Sequence, residues 1–573
     1  VIYLKPNLFQ RAAAIMSGDR AEVCLGLILV TGVLGGACSR GADSGLAEKS
    51  QGEFVPLFNG KSLEGWDGDA RFWRVENGEI IGQSTKAEPA PGNTFLIWEG
   101  GEVADFELKV EFKILSGNSG IQYRSFLVDD KPWVLGGYQA DLSANDKWTG
   151  AAWGERYKKM LAARGETTVV GEAEDERNVV AAVGDNAELK SFLRPNDWNE
   201  YHIIAYGNQC IQMINGVVMS EFSERPEDRL RSGWIGLQLH QGPPMEVRFR
   251  NIELRKLERE DKKQILFLAG KKSHGYAMHE HRAGCHLLAR CLHESGEDIV
   301  AKVVAEGQWP EPWEGYDEPD AIVMYCDGFR NHLAKDHQDK IQALTDRGIG
   351  VACLHFGVEV DPDELGPEFL EWIGGYFEIG WSVNPHWEAH FKSFPDHPIA
   401  NGVEPFSIFD EWYYHLRFQP GMEGVSPILS AVPPVESLLT RSRDKDRGSN
   451  PTVLKKVREG RPQVLAWAYD RENGGRGFGF TGGHYHENWG EPEFRQVVLN
   501  ALVWLAGATV PADGMPSRDP SALDLKLNQD YPAPEDPQKA PSRAGMQMRT
   551  EALYDRFRQR LELGTTSTNG ENP

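Results

Sequence analysis

The chain of 573 residues is too long for one ordinary domain and long enough to bury two cores without a disulfide or metal staple. Apolar residues make up 40% and charged residues 25%, a globular composition, and 85 acidic against 61 basic residues leave a formal charge of -24, which argues against a nucleic-acid partner. The 7 Cys form no CxxC and no paired framework, so neither a zinc ribbon nor a disulfide scaffold is expected.

Met16 opens MSGDRAEVCLGLILVTGVLGGACSRGADS. Its apolar run from Cys24 to Leu34 is shorter than the ~20 residues of a bilayer span but has the length of a secretory h-region. Gly35, Gly36 and Ala37 precede Cys38, and a Ser/Gly-rich stretch follows. The segment resembles a bacterial lipoprotein signal with Cys38 as the lipidated residue, although Gly35 stands where Leu is usual; a plain cleaved signal is the alternative. Residues 1–50 are therefore read as leader and linker. The body is expected to be exported, periplasmic or at the cell surface, and held to the membrane by a lipid anchor. No later run is long and apolar enough to span a bilayer.

Residues 51–260 read as short alternating strands: WRVENGEIIG, DFELKVEFKI, SGIQYRSF, NEYHIIAY, CIQMINGVVMSEF, GWIGLQLH and MEVRFRNIELRKL. Asn77-Gly78 and Asn215-Gly216 are tight-hairpin signals, because both central residues need positive φ. Many antiparallel strands without a long helix predict a sandwich or jelly roll. The polar stretch 155–190 interrupts the pattern and is expected to be a partly helical surface excursion.

From residue 261 to 508 the period changes. KKQILFLAG, AIVMYCDG, GIGVACLHFG and RGFGFTGGH are near-continuous apolar strands, alternating with helical HEHRAGCHLLARCLHES, KDHQDKIQALTDRG and EFRQVVLNALVWLAG. This predicts a parallel sheet covered on both faces, with its site outside the carboxyl ends of the strands. Residues 509–573 are Pro-rich and expected to be an extended tail carrying a short helix in ALYDRFRQRLELG.

In the first body, Gln122 and Arg124 alternate with Tyr123, Gln139 with Asp141, and Gln238 with His240 before the Gly242-Pro243-Pro244 turn. Amides, one guanidinium, one carboxylate and one imidazole on a concave face suit a neutral polyol such as a saccharide or glycan, on which Trp133, Trp148 or Trp153 would stack. For each aromatic the alternative is an ordinary partly buried side chain, and for His240 a structural hydrogen bond. LFNGKSLEGW, WRVENGEIIG, DFELKVEFKI with GNSGIQYRS, GYQADL, NDWNEYHIIAYGN and IGLQLHQGPPMEVRFRNIELR together resemble the 3-keto-disaccharide hydrolase family (DUF1080), an all-β concanavalin-like jelly roll. The resemblance implies a hydrolase or lyase acting on 3-keto-glycosides. A ketone at C3 acidifies the proton on C2, which His240, Asp141 or Glu200 would remove as the oxygen on C1 leaves. Arg124 or a divalent cation would stabilise the enolate, with Gln122, Tyr138, Gln139, Gln238 and Trp148 binding substrate. No confident carboxylate pair of the conventional glycosidase kind is evident.

In the second body, LFLAGKKSHGYAMHEHRAGCHLLA, DAIVMYCDGFRNH, GIGVACLHFG, FPDHPIANGVEPF, DEWYYHL, VLAWAYDRENGGRGFGFTGGHYHENW and FRQVVLNALVWL resemble the ThuA-like trehalose-utilisation family. That implies a flavodoxin-like α/β fold related to class I glutamine amidotransferases and an activity such as keto-sugar isomerisation. The amidotransferase nucleophile position is occupied here by His355, with Cys353 inside the preceding strand, so thiol chemistry is not expected. His355 and His484 are read as an acid/base or substrate-binding pair. His274, His486 and Glu411 are read as ligands for one divalent metal ion. His279 and His281 would face apart on a helix and are not read as a metal pair. GGRGFGFTGG lacks the GxGxxG pattern, so no nucleotide cofactor is expected. The alternative for the whole chain is a non-catalytic carbohydrate-binding or cell-surface structural protein.

Overall fold

The computed structural model describes residues 53–566 apart from 129–130, 172, 174–175, 225–228, 258–261, 296, 311–317, 440–449, 523 and 537–539. Cys38 and the leader lie outside the described residues. Among the described residues no helix is long and apolar enough to cross a membrane.

The first domain is β-rich and consists of a 10-stranded and a 7-stranded sheet. Strict alternation explains the packing: Phe106, Leu108, Val110, Phe112 and Ile114 of the strand Phe106–Ser116 enter the core, whereas Lys109, Glu111 and Lys113 face outward. At Gly117 the chain passes to the other sheet. Its φ is +78°, and a Cβ there would stand 2.5 Å from the Met245 Cβ, so only glycine fits. Asn77 and Gly78 join paired strands with φ of 53° and 81°, and Asn215 and Gly216 do the same with 52° and 77°.

The stretch 155–190 is not the helical excursion its polarity suggests. It contributes Met160–Ala162, Glu166–Val170 and Arg177–Ala182 to the two sheets, and its helix is limited to Asn186–Lys190. The β-branched runs TTVV and NVV prevail, and Thr167 and Thr168 are buried with their hydroxyls bonded.

The second domain is mixed α/β. Its 7-stranded sheet runs Ile299–Val304, Lys263–Ala269, Ala321–Tyr325, Gly350–Leu354, Arg476–Phe480, Gln463–Asp470, Val425–Ala431. Pairings are parallel through Arg476–Phe480 and antiparallel beyond it. Helices His281–Glu294 and Pro492–Leu505 pack in one core layer, and Gln338–Asp346 and Gly366–Ile373 in the other. Burial on both faces is why these strands read as unbroken apolar runs.

The tail, expected to be extended with a short helix, packs on both domains. Leu527 enters the core of the first domain, Asp524 bonds Arg290 and Arg518, and the helix Arg543–Thr566 packs on the second domain, where Tyr554 donates to the His386 carbonyl at 3.1 Å. The two domains also meet directly. Glu107 accepts from Lys262 at 2.9 Å and Arg255 at 2.6 Å, and against the cost of burial its hydrogen bond with His202 at 3.0 Å, together with these cations, holds its carboxyl far below the usual range.

Candidate functional site

The first domain has a cleft of about 310 Å³ lined by Asn118, Ser119, Gln139, Asp141, Leu142, Trp148, Trp153, Glu155, Gln238 and His240. Its floor is an oriented amide chain. Gln122 and Gln238 each donate to Gln139 Oε1 at 2.7 Å, so the Gln139 amide must turn its NH2 to Asp141 Oδ1, 2.5 Å away. Gln238 Oε1 is buried and has no protein partner. Burial, opposed by that Gln139 hydrogen bond and reinforced by the Glu155 carboxylate, raises the Asp141 carboxyl from 3.8 to about 7. His240 Nδ1 lies 2.5 Å from the Gln241 carbonyl oxygen, so Nδ1 carries the proton and Nε2 the free lone pair.

Glu155 was not among the sequence candidates. It stands at the end of Ala152–Glu155, opposite Gly137 of Leu135–Ser143, on the sheet face that carries Gln139 and Asp141, and it lines the same cleft. It supplies the second carboxylate that the sequence did not reveal.

Three candidates lie elsewhere. Arg124 does not share the Gln122 face, because a bulge between Tyr123 and Phe126, with Arg124 at φ 43°, breaks the alternation. Its buried guanidinium bonds the Ala104 and Gly207 carbonyls and Asp105 at 2.7, 2.9 and 2.6 Å, which makes it a structural tie. Tyr138 points into the core between the sheets and bonds Glu224. Glu200 is exposed on the other sheet, whose strand Asn199–Tyr206 sends Tyr201 inward instead.

In the second domain the loops after Lys263–Ala269, Gly350–Leu354 and Arg476–Phe480 bring imidazoles together with Glu411 from the ribbon strand Phe406–Glu411. One donor atom each of His279, His355, Glu411 and His484 lies within 4.8 Å of the others, a potential metal-coordinating cluster. His279 Nε2 is 2.9 Å from His484 Nδ1 and 3.1 Å from His355 Nε2, and Glu411 Oε2 is 3.1 Å from His484 Nδ1. His355 Nδ1 sits 2.9 Å from the Thr481 carbonyl, which fixes the proton there and turns the Nε2 lone pair inward. Burial and the neighbouring His484 lower His355 to about 3, so it is neutral at pH 7, the form that ligates metals. The donor set of three imidazoles and one carboxylate fits a divalent cation.

The backbone is strained to make this convergence. His274, Ala277, His279 and His355 all have left-handed φ, at 48°, 63°, 50° and 51°. Such residues each cost about 1–3 kcal/mol and cluster at functional sites. Asp410 holds the opposite loop by accepting from the Gly483 and His484 amides and from Asn488.

Of the sequence candidates for metal, Glu411 is in this cluster. His486 is not: it is buried beside Leu525 beneath the turn His486–Gly490. His274 sits at the exposed rim, stacked on His279 at 3.6 Å. His279 and His281 do not share a helix, because the helix begins at His281, and His279 in the preceding loop reaches the cluster. Cys353 is wholly buried in its strand, and burial pushes its thiol well above the usual range, which leaves it no nucleophilic role.

Comparison with known proteins agrees with this division. Residues 53–255 match the family model of the 3-keto-alpha-glucoside-1,2-lyase-like domain, and residues 266–505 match that of the trehalose utilisation (ThuA) family. Among solved structures, a candidate glycosyl hydrolase from Parabacteroides distasonis is 20% identical over 36% of this chain and 94% of its own, with a TM-score of 0.25. A ThuA-like protein from Parabacteroides merdae is 15% identical over 46% of this chain and 99% of its own, with a TM-score of 0.30. A carbohydrate-binding module from Bacillus subtilis is 15% identical over 34% and 96%, with a TM-score of 0.23. No curated protein matches the chain. The chain joins a 3-keto-disaccharide hydrolase-type (DUF1080) domain to a ThuA-like domain, the architecture of a carbohydrate-active enzyme of the glycoside hydrolase or lyase class.

Proposed function

We propose that the first domain, read as a concanavalin-like jelly roll, cleaves 3-keto-glycosides by elimination and hydration. The observation that carries this reading is one cleft holding both the Asp141 carboxyl, bonded by Gln139, and the His240 imidazole, whose Nδ1 faces the Gln241 carbonyl. His240 Nε2 takes the C2 proton made acidic by the C3 ketone; the electron pair forms C1=C2 as the C1–O bond breaks. Asp141, partly protonated near neutral pH, gives its proton to the departing oxygen. Water adding across the double bond completes a net hydrolysis. Glu155 raises the proton affinity of Asp141, and Gln139 fixes its orientation. Trp148 and Trp153 offer apolar faces for sugar rings.

The second domain, read as flavodoxin-like, holds one divalent ion through His279, His355, His484 and Glu411 and converts the released keto sugar, for instance by isomerisation. Such an ion polarises a carbonyl as a Lewis acid. The protein's own part is to present neutral imidazoles from strained loops and to hold those loops through Asp410. Cys38 anchors the exported chain by lipid.

The test is incubation of the full chain with 3-keto-trehalose and 3-keto-glucosides, with and without chelator, followed by product identification. Cleavage that survives chelation but is lost in His240→Gln and Asp141→Asn supports the division of labour. Binding without turnover would favour a carbohydrate-binding module instead.

A further inference from the structure

His279 is the only imidazole among the described residues that belongs to both candidate cation groups, one on each side of its ring. Its Nε2 faces His355 and His484. Its Nδ1 is buried, has no hydrogen-bond partner, and lies 3.9 Å from Asp327 Oδ1. His281 Nε2 is likewise buried without a partner and lies 3.9 Å from the same oxygen.

The hydrogen bonds around these rings fix where their protons are. His281 Nδ1 faces the Lys271 carbonyl at 3.2 Å, so it carries the ring proton and leaves a lone pair on Nε2. Ser273 Oγ donates to Asp327 Oδ1 at 2.6 Å, so its 2.6 Å contact with His274 Nδ1 must be donated by the imidazole. That leaves His274 Nε2 unprotonated as well. The side chain of Asp327 is 19% exposed, which gives this place a path to solvent.

A buried lone pair aimed at a carboxylate is repulsive unless positive charge or a donor lies between them. We infer that a second divalent cation binds here, held by His279 Nδ1, His281 Nε2, Asp327 and His274, so that the His279 imidazolate bridges two ions. The inference rests on the reading of His279 Nε2, His355, His484 and Glu411 as the first cation site. Bridging requires that the remaining ring proton of His279 leave to solvent as the second ion binds. The separation of 3.9 Å exceeds a hydrogen bond and suits two ligands of one cation.

The experiment strips the full chain with chelator, reloads it with Zn²⁺ alone, and counts bound metal after gel filtration. Wild type is expected to retain two equivalents, Asp327→Asn one, and Glu411→Gln one, with folding checked by circular dichroism. His274→Gln, at an exposed position, is expected to weaken the second equivalent by at least about 100-fold, beyond the loss usual for an outer-shell partner. With Cu²⁺ as probe, a bridged pair is magnetically coupled and its resonance attenuated relative to Asp327→Asn. One equivalent in wild type that Asp327→Asn retains would mean that water fills the second place, overturning the inference and sparing the first site. Zero equivalents would overturn both, and two ions with uncoupled Cu²⁺ resonances would overturn the bridge.

Discussion

Replacing Asp141 with Asn tests whether the cleft has traded stability for a proton at neutral pH. The carboxyl rises from 3.8 to about 7 on folding, about three units, and at ~1.36 kcal/mol per unit the folded chain bears about 4 kcal/mol for keeping it ionised. That is an upper bound, since water in the cleft screens part of it. The sign follows from the raised value. The neutral acid is the form the fold favours, so its stability is fully present below 3.8 and is lost as pH rises through 7. Asn keeps an oxygen for the Gln139 amide but never ionises. Urea unfolding should therefore show Asp141→Asn close to wild type near pH 4 and more stable by about 2–4 kcal/mol near pH 8. Turnover of a 3-keto-glucoside should meanwhile fall about 10²–10⁴-fold. A stability difference independent of pH, or unchanged turnover, would refute the reasoning.

His355→Ala should abolish conversion of the keto sugar by the second domain, whereas Cys353→Ala should leave it nearly intact; the reverse order in assays of the two folded variants would restore a thiol mechanism. Arg124→Ala should cost about 3–5 kcal/mol by removing the cation paired with Asp105 and the donors to the Ala104 and Gly207 carbonyls, with turnover per folded molecule unchanged; a folded variant with a specific catalytic defect would return Arg124 to the site. Labelling with a fatty-acid analogue should mark Cys38, and a mature chain beginning elsewhere without label would exclude the anchor.

Pattern carried the sequence reading furthest where burial is periodic. Phe106–Ser116 announces its inward face by alternation, and the parallel strands announce double burial by unbroken apolar runs. The Gln139, Asp141, Gln238 and His240 constellation was legible because each pair lies two apart, on the strand Leu135–Ser143 and at the end of Trp234–Leu239. Arg124 broke the same rule through one bulge that no residue type announces. Glu155 was hidden because its relation to Asp141 depends on which strands pair across a polar, irregular segment. Helical geometry sets His279 aside, but the helix begins only at His281, and His279, two residues earlier, has a φ of 50°. The tail's role was invisible because Leu527 packs in a core, and Asp524 meets Arg290, hundreds of positions away.

The central claim is tested most directly with a 3-keto-glucoside deuterated at C2, set beside the unoxidised glucoside and followed at early times by nuclear magnetic resonance and mass spectrometry. Elimination predicts that the C2 label passes to solvent in the same turnover that releases the aglycone, and that the unoxidised glucoside is left intact. Cleavage of both compounds at similar rates with the C2 label retained would show direct glycosidic hydrolysis and contradict the account.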